Sequence, residues 1–440
     1  RNYFLMGASL FFYAWGEPWF VFVMLASIAM NWFAGLLIDR WRDSRRRRKL
    51  ALACSVAINL GLLGVFKYAD FMLSNLNLLL GTHLPLTRLM LPIGISFFTF
   101  QAMSYVIDVY RGDAPVQKQF SGVCLYVSLF PQLIAGPIVR YRTVAEEINH
   151  RRETFDDFSA GARRFVMGLC KKQLLANNLA LLADAIYATP VASLSTANAW
   201  LGNLAYALQV YYDFSGYSDM GIGMGQMFGF HFLENFNYPY IATTVGEFWR
   251  RWHISMSTWF RDYLYIPLGG SRVSRGRWVL NMLVVWGLTG LWHGAKWTYI
   301  VWGLCFFAVL TVEKLAGIDK RWTRYIGLRR VYTLLIIFLT SAIIRADSLT
   351  YAAGFLGRLF SGGPIGLYDG AALENLNQYS AFLAMGVLFS MPVGKWLKEK
   401  LHIGDFWSRL IGNGLLAGGA LLAISYAVLG SYNPFIYFNF

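Results

Sequence analysis

The polarity pattern is a succession of apolar runs separated by short basic, glycine-rich or proline-rich stretches. The runs fall at 3–15, 19–38, 50–66, 89–109, 120–139, 174–188, 199–212, 278–292, 297–310, 332–344, 379–393 and 410–429. A helix that crosses a membrane needs about 20 mostly apolar residues, and fewer where it is half-submerged or re-entrant. Several runs are short, so the pattern predicts an all-α polytopic membrane chain rather than a tidy bundle of perpendicular spans. Pro92, Gly94, Pro131, Gly136 and Pro137 fall inside runs. Broken helices persist in a membrane only where protein or a water-filled cavity satisfies the freed backbone groups, which predicts an enclosed cavity. Two further segments, 151–172 and 244–268, carry apolar and charged faces at helical spacing. They are expected to lie along the inner membrane surface or dip into it.

Composition agrees with this class. Of the 440 residues 56% are hydrophobic and only 14% charged, too little polar surface to cover a soluble chain. The 16 tryptophans suit the two membrane–water interfaces. A net charge of +15 would point to nucleic acid in a soluble protein. Here the basic residues cluster between apolar runs, as in Arg45-Arg46-Arg47-Arg48-Lys49, which points to orientation and anionic lipid instead, with no nucleic-acid partner. The basic stretches 40–49, 140–164, 171–172, 250–277, 314–330 and 395–400 are then expected in the cytoplasm. The stretches 82–85, 189–196, 346–377 and the C-terminal 431–440 are expected outside. Cys54, Cys124, Cys170 and Cys305 stand singly in apolar stretches, without metal-ligand or disulfide spacing, so no metal site is expected. No internal repeat stands out, and one membrane domain over 1–440 is expected. The chain opens at Arg1 inside an apolar stretch, from which a preceding native segment is expected.

The candidate chemistry begins at Trp292-His293-Gly294, which interrupts an otherwise membrane-spanning run in a chain with six histidines. An ionisable residue inside a membrane is a functional-site hypothesis by default, and imidazole suits proton transfer near neutral pH. The segment 247–265 reads EFWRRWHISMSTWFRDYLY. As one continuous helix it would put Trp249, Trp252, Met256, Trp259 and Tyr263 on one stripe, and His253, Ser257, Arg250 and Arg261 on another arc. An interfacial helix accounts for its tryptophans and arginines but gives His253 and Ser257 no role. Asp213, Ser218 and Asp219 sit beside an apolar run and either pair structurally or line a polar cavity. Gly221, Gly225 and Gly229 follow at i+4 spacing and predict a smooth helix face for close packing. The stretch GIGMGQ is a poor dinucleotide fingerprint, because no strand precedes it and no acidic ribose partner follows at the right distance.

FWRRWHISMSTWFRDYLYIPLGGSR (248–272) and GLWHGAKWTYIVWG (290–303) resemble the membrane-bound O-acyltransferases. YYDFSGYSDMGIGMG, LPIGISFFTFQAMSYVIDVYRG, LIAGPIVR and the terminal PFIYFNF narrow the resemblance to the bacterial branch that O-acetylates alginate and other polysaccharides. It runs from about the first span to the last residue, in order. The resemblance implies a ring of roughly 11–13 tilted, short and re-entrant helices around a central cavity or tunnel. It further implies that His293 is the family's catalytic histidine and His253 the branch's second one. The implied donor is a cytoplasmic thioester, acetyl-CoA, with no bound cofactor. The acceptor is an extracytoplasmic polysaccharide such as alginate, reached through an external acetyltransferase partner, across a bacterial cytoplasmic membrane with the C-terminus outside.

On that reading His293 accepts the hydroxyl proton as general base, or holds the acyl group covalently. His253 orients a substrate or polarises the thioester carbonyl, and Trp292 packs against the acyl group. Arg250 and Arg261 attract the donor's phosphates, and Ser257, Asp213 and Ser218 are further candidates for the substrate- or donor-binding surface. The teichoic acid D-alanyl transferases share both histidine motifs, but SGYSDM, AGPIVR and FIYFNF are closer to the acetylating branch. A non-enzymatic polysaccharide transporter or export scaffold would also have broken helices and a polar cavity.

Overall fold

The computed structural model describes residues 1–134, 136–318, 325–401 and 404–429. The tail 431–440 and part of the basic stretch 314–330 therefore lie outside the described residues. The described chain is helical, with no strand. Among the described residues five helices are long and apolar enough to cross a membrane: Phe20–Arg40, Arg45–Leu80, Trp297–Ala316, Ile326–Arg345 and Phe406–Val428. Gly370–Phe389 and Val393–Lys400 together reach the same length and apolarity but meet at a 67° bend, as in a broken span or a re-entrant loop. The class expected from composition is therefore the observed one.

The helices at the centre are less apolar than those around them, and the reason is burial by protein on every side. Ile95–Arg111 is buried along nearly its whole length and carries Gln101, Ser104 and Asp108 inward. Thr196–Met227 carries Asn203, Gln209, Asp213, Ser215, Ser218 and Asp219. Polar side chains in such a place are mostly partnered. Asn203 accordingly donates to Phe338 O at 2.9 Å, and Asp213 pairs with Lys172 at 2.5 Å.

The run 120–139 is not one span. Helix Phe120–Ser128 stops where Pro131 approaches, and an irregular stretch leads to the next helix, Tyr141–His150. The break survives because protein groups meet its backbone. Tyr126 donates to Val139 O at 2.7 Å, and Ile138 N and Tyr141 N donate to Ser255 Oγ and Ser104 Oγ. This is the protein-enclosed irregular backbone expected from the prolines.

The first amphipathic segment and the glycine trio meet the same long helix. Residues 155–187 form one helical path, Phe155–Cys170, a wider π-type turn at Lys171–Ala176, then Asn177–Tyr187. One face of the segment 151–172 packs along Thr196–Met227 in the most extensive helix pairing of the fold, and the rest of it is exposed or half-buried. The glycines at that crossing are Gly161 and Gly168, opposite Gly223 and Gly216. A Cβ on Gly168 would stand 2.4 Å from Gly216 O, and one on Gly161 2.4 Å from Gly223 O. Small residues let the two backbones touch. The expected trio does not form that face: Gly221 meets Pro131, Gly225 meets the Phe232 ring, and Gly229 lies beyond the helix end.

Candidate active site

The segment 244–268 breaks at its histidine, which corrects the expectation of one continuous helix. Helix Val245–Arg251 starts at the Thr244 cap, and helix Ile254–Phe260 follows. Between them His253 adopts φ 43°, the left-handed region that costs a non-glycine residue about 1–3 kcal/mol. Three hydrogen bonds around Asn235 hold the break. Ile254 N donates to Asn235 O at 2.9 Å, and Ser255 N and Ser255 Oγ donate to Asn235 Oδ1 at 3.1 and 2.9 Å.

Those bonds also fix the chemistry of His253. A main-chain N–H can only donate, so Ser255 N identifies the Asn235 atom as the carbonyl oxygen. His253 Nδ1, 3.2 Å from the same oxygen, therefore carries the proton of the neutral ring. The lone pair falls on Nε2, which is buried and has no hydrogen-bond partner among the described residues. Asn235 in turn donates through Nδ2 to Ser218 Oγ at 2.9 Å.

His293 reaches the same tautomer by a local route. It is the last residue of helix Arg275–His293, and Nδ1 lies 2.8 Å from Thr289 O, one turn earlier. A carbonyl only accepts, so the lone pair again falls on Nε2. The chain turns away at Gly294, where a Cβ would overlap the Tyr299 ring at 2.2 Å. Trp292 packs against both imidazoles, its ring centroid 6.0 Å from that of His253 and 5.0 Å from that of His293. Phe100 stacks on Trp292 at 5.6 Å, Phe214 packs edge-on to His253 at 4.5 Å, and Trp302 covers His293 at 4.7 Å.

Two cavities lie close to this aromatic cluster. The larger, about 1140 Å³, is walled by Met167, Leu175, Phe382, Phe389 and Leu422, and reaches Ser218, Asn235 and Ile254 beside His253. Its rim carries Arg163, Arg164, Lys171 and Lys395. Arg164 and Lys171 are engaged by Asp219, at 2.9 and 2.5 Å. Arg163 and Lys395 make no ion pair among the described residues. The smaller cavity, about 80 Å³, is lined by His293, Trp249, Trp252, Trp302, Tyr206 and Tyr240.

Of the residues singled out from sequence, His253, His293, Trp292 and Ser218 come together. Asp213 does not join them, because Lys172 holds it within the wall. Arg250 is exposed on the helix before the break, and Arg261 bonds its neighbour Asp262 at 2.7 Å. Ser257 and Arg261 line a separate groove with Trp249 and Thr289. The expected arc of His253, Ser257, Arg250 and Arg261 does not form, because the left-handed turn at His253 resets the helical phase. Asn235 was missed; it sits in the unremarkable loop sequence HFLENFNYP, where nothing marks it as a partner of His253. Lys67 was also missed, although it was visible as a lone cation just past the apolar run 50–66.

The loop that carries Asn235 is pinned from outside the membrane-spanning helices. His231 Nδ1 lies 2.8 Å from Glu147, and its Nε2 lies 3.4 Å from Asp157. The Glu147 carboxylate, helped by Asp157, raises the His231 pKa above its ordinary value. Among the described residues no group of three or more His, Cys, Asp or Glu side chains is arranged to hold a metal ion.

The model of the membrane-bound O-acyltransferase (MBOAT) family matches residues 114–344. The probable alginate O-acetylase AlgI of Pseudomonas putida is 38% identical, over 100% of this chain and 94% of its own length. The peptidoglycan O-acetyltransferase of Helicobacter pylori is 33% identical, over 99% of this chain and 91% of its own. The teichoic acid D-alanyltransferase of Bacillus subtilis is 28% identical over 59% of this chain and 68% of its own.

Proposed function

The chain belongs to the membrane-bound O-acyltransferase family, and from that premise we propose that it takes acetyl groups from cytoplasmic acetyl-CoA and passes them across the membrane to an extracytoplasmic polysaccharide. It is an acyltransferase and a multi-pass membrane protein. The polysaccharide acceptor is supported by the names of the relatives, an alginate O-acetylase and a peptidoglycan O-acetyltransferase. An acetyltransferase partner outside the membrane hands the group to the glycan, and the membrane is the bacterial cytoplasmic one, with the C-terminal tail outside.

The observation that carries the reading is the shared tautomer of the two imidazoles, each with Nδ1 bonded to a carbonyl oxygen and the lone pair on Nε2. The large cavity, with its cationic rim, opens on the inner side by the positive-inside rule. There Arg163 and Lys395 meet the donor's phosphates, and the pantetheine arm runs along the apolar wall toward His253. A cavity of about 80 Å³ beside His293 suits an acetyl group, since a single water occupies about 30 Å³ of liquid. In the transfer step the acceptor oxygen attacks the thioester carbonyl carbon while its proton moves to His293 Nε2. The carbon–sulfur bond then breaks, and the departing thiolate takes the proton from the imidazolium. His253 orients the donor, and Trp292 forms a wall against both imidazoles.

The test uses purified protein in nanodiscs with radiolabelled acetyl-CoA. The expected result is release of CoA thiol, and transfer of label, that disappear in His293→Ala. No release by the wild-type protein overturns the donor assignment. Turnover of a D-alanyl carrier protein without turnover of acetyl-CoA moves the chain to the teichoic acid branch. Acetyl label trapped on His293 replaces the general-base step with an acyl-histidine.

A further inference from the structure

A lysine stands inside the membrane-length helix Arg45–Leu80, at the wide π-type turn Gly64–Tyr68. Such turns within helices are frequent at functional sites, and an ammonium at that depth is costly unless something accepts its hydrogens. Lys67 Nζ donates to Trp292 O at 2.5 Å and to Ser96 Oγ at 3.1 Å, and it lies 5.8 Å from the centroid of the Trp292 ring. No carboxylate pairs with it among the described residues. The adjacent Tyr68 donates its hydroxyl to Leu291 O at 2.8 Å.

The acceptors on Leu291 and Trp292 belong to the last turn of the helix that ends in His293. The terminal carbonyls of a helix have no partner within it and carry the negative end of its dipole. One wide turn of a neighbouring helix therefore grips that terminus through two consecutive side chains. The grip falls on the main chain of Trp292, the residue whose ring packs against both His253 and His293. Apolar side chains would fill the same space, but they would take away the donor to Trp292 O and leave Leu291 O with the Gly294 N–H alone.

We propose that Lys67 is a positioning residue for acyl transfer: its Nζ, bonded to Trp292 O and Ser96 Oγ, holds the last turn of helix Arg275–His293 and the Trp292 ring in register. The proposal rests on the reading of His293 as the reacting base. A misplacement of the reacting groups by about 1 Å is worth roughly 100-fold in rate. The effect falls on turnover, because Lys67 does not line the large cavity in which the donor binds.

The test compares full-length wild type, Lys67→Met, Lys67→Gln and His293→Ala, with kcat and KM for acetyl-CoA expressed per folded molecule. Glutamine keeps an N–H donor but is one bond shorter, so it loosens the grip on Trp292 O while leaving a polar side chain there, which covers the case in which the methionine variant does not fold. The expected result is a kcat lowered roughly 100-fold in Lys67→Met, and about tenfold or more in Lys67→Gln, with KM within about twofold of wild type. A kcat within about twofold of wild type in either folded variant overturns the proposal, and so does a rise in KM at constant kcat. Failure of the functional reading itself looks different: wild type and His293→Ala then show the same rate.

Discussion

His293 Nδ1 lies 2.8 Å from Thr289 O, one helical turn earlier on the same helix. The bond sets which ring nitrogen holds the lone pair and leaves Nε2 as the basic atom. A positioned general base contributes about 10²–10⁴-fold. His293→Ala should lower acetyl-CoA turnover by at least that range while expression and membrane insertion stay normal. Near-wild-type acetylation of cell-surface glycan by this variant would remove His293 from the mechanism.

Asn235 organises His253 from a distant loop, through an oxygen that also accepts from Ser255 N and Ser255 Oγ. Asn235→Leu keeps much of the volume and strands those donors. Leaving a buried donor unsatisfied costs about 1–3 kcal/mol, which corresponds to roughly 5- to 150-fold if it appears in the transition state. Turnover should fall within that window, and His253→Ala should fall similarly while still binding acetyl-CoA. Equal kcat in wild type and Asn235→Leu would reduce the Asn235–His253 bond to packing.

The crossing of Gly168 on Gly216 leaves no room for a methyl group, since the added carbon would stand 2.4 Å from a main-chain oxygen. Gly168→Ala should lower the apparent melting temperature in detergent and cost about 1–3 kcal/mol, the usual range for overpacking. Gly61→Ala is the control: nothing lies within 4 Å of a Cβ there, so a helical alanine should be neutral or stabilising. If the two variants melt together, the close crossing is not a determinant of stability.

His231 gives the fold a pH dependence whose sign follows from its neighbours. Glu147, and secondarily Asp157, raise its pKa in the folded state. The stabilisation is therefore fully present below the ordinary histidine value, about 6.5, and is lost as pH rises through the higher folded value. Asp157 runs the other way: hydrogen bonds from Thr154, His231 and Gln226 lower its pKa, so its contribution is lost in acid. His231→Gln should melt earlier than wild type near pH 6, and the two curves should converge at alkaline pH. A gap that stays constant from pH 6 to pH 9 would show that the His231 charge does not matter.

The membrane class, most spans and both histidines were legible in the linear pattern, because each depends on short-range properties. Hydrophobic runs report burial in lipid, and an imidazole inside such a run is conspicuous whatever surrounds it. The run 19–38 and the helix Phe20–Arg40 coincide for that reason. The inner helices were harder to read. Thr196–Met227 is buried in protein and carries acids that pair with Lys172, Arg164 and Lys171, so its apolar run, 199–212, ended well before the helix did. The break at His253 has no glycine or proline to announce it.

By itself, then, the sequence determined an all-α membrane chain with two candidate histidines, since hydrophobic length and the cost of a polar group in lipid are local quantities. The tertiary structure alone decided what those histidines can do. It brought His253 and His293 against the same Trp292 ring, gave His253 its partner Asn235, set Lys67 against the end of the His293 helix, and sent Arg250 and Arg261 elsewhere. Hydrogen-bond geometry is satisfied only within a few ångströms. Which side chains come that close, from segments far apart in the chain, follows from how the helices pack, and periodicity along one segment does not encode it.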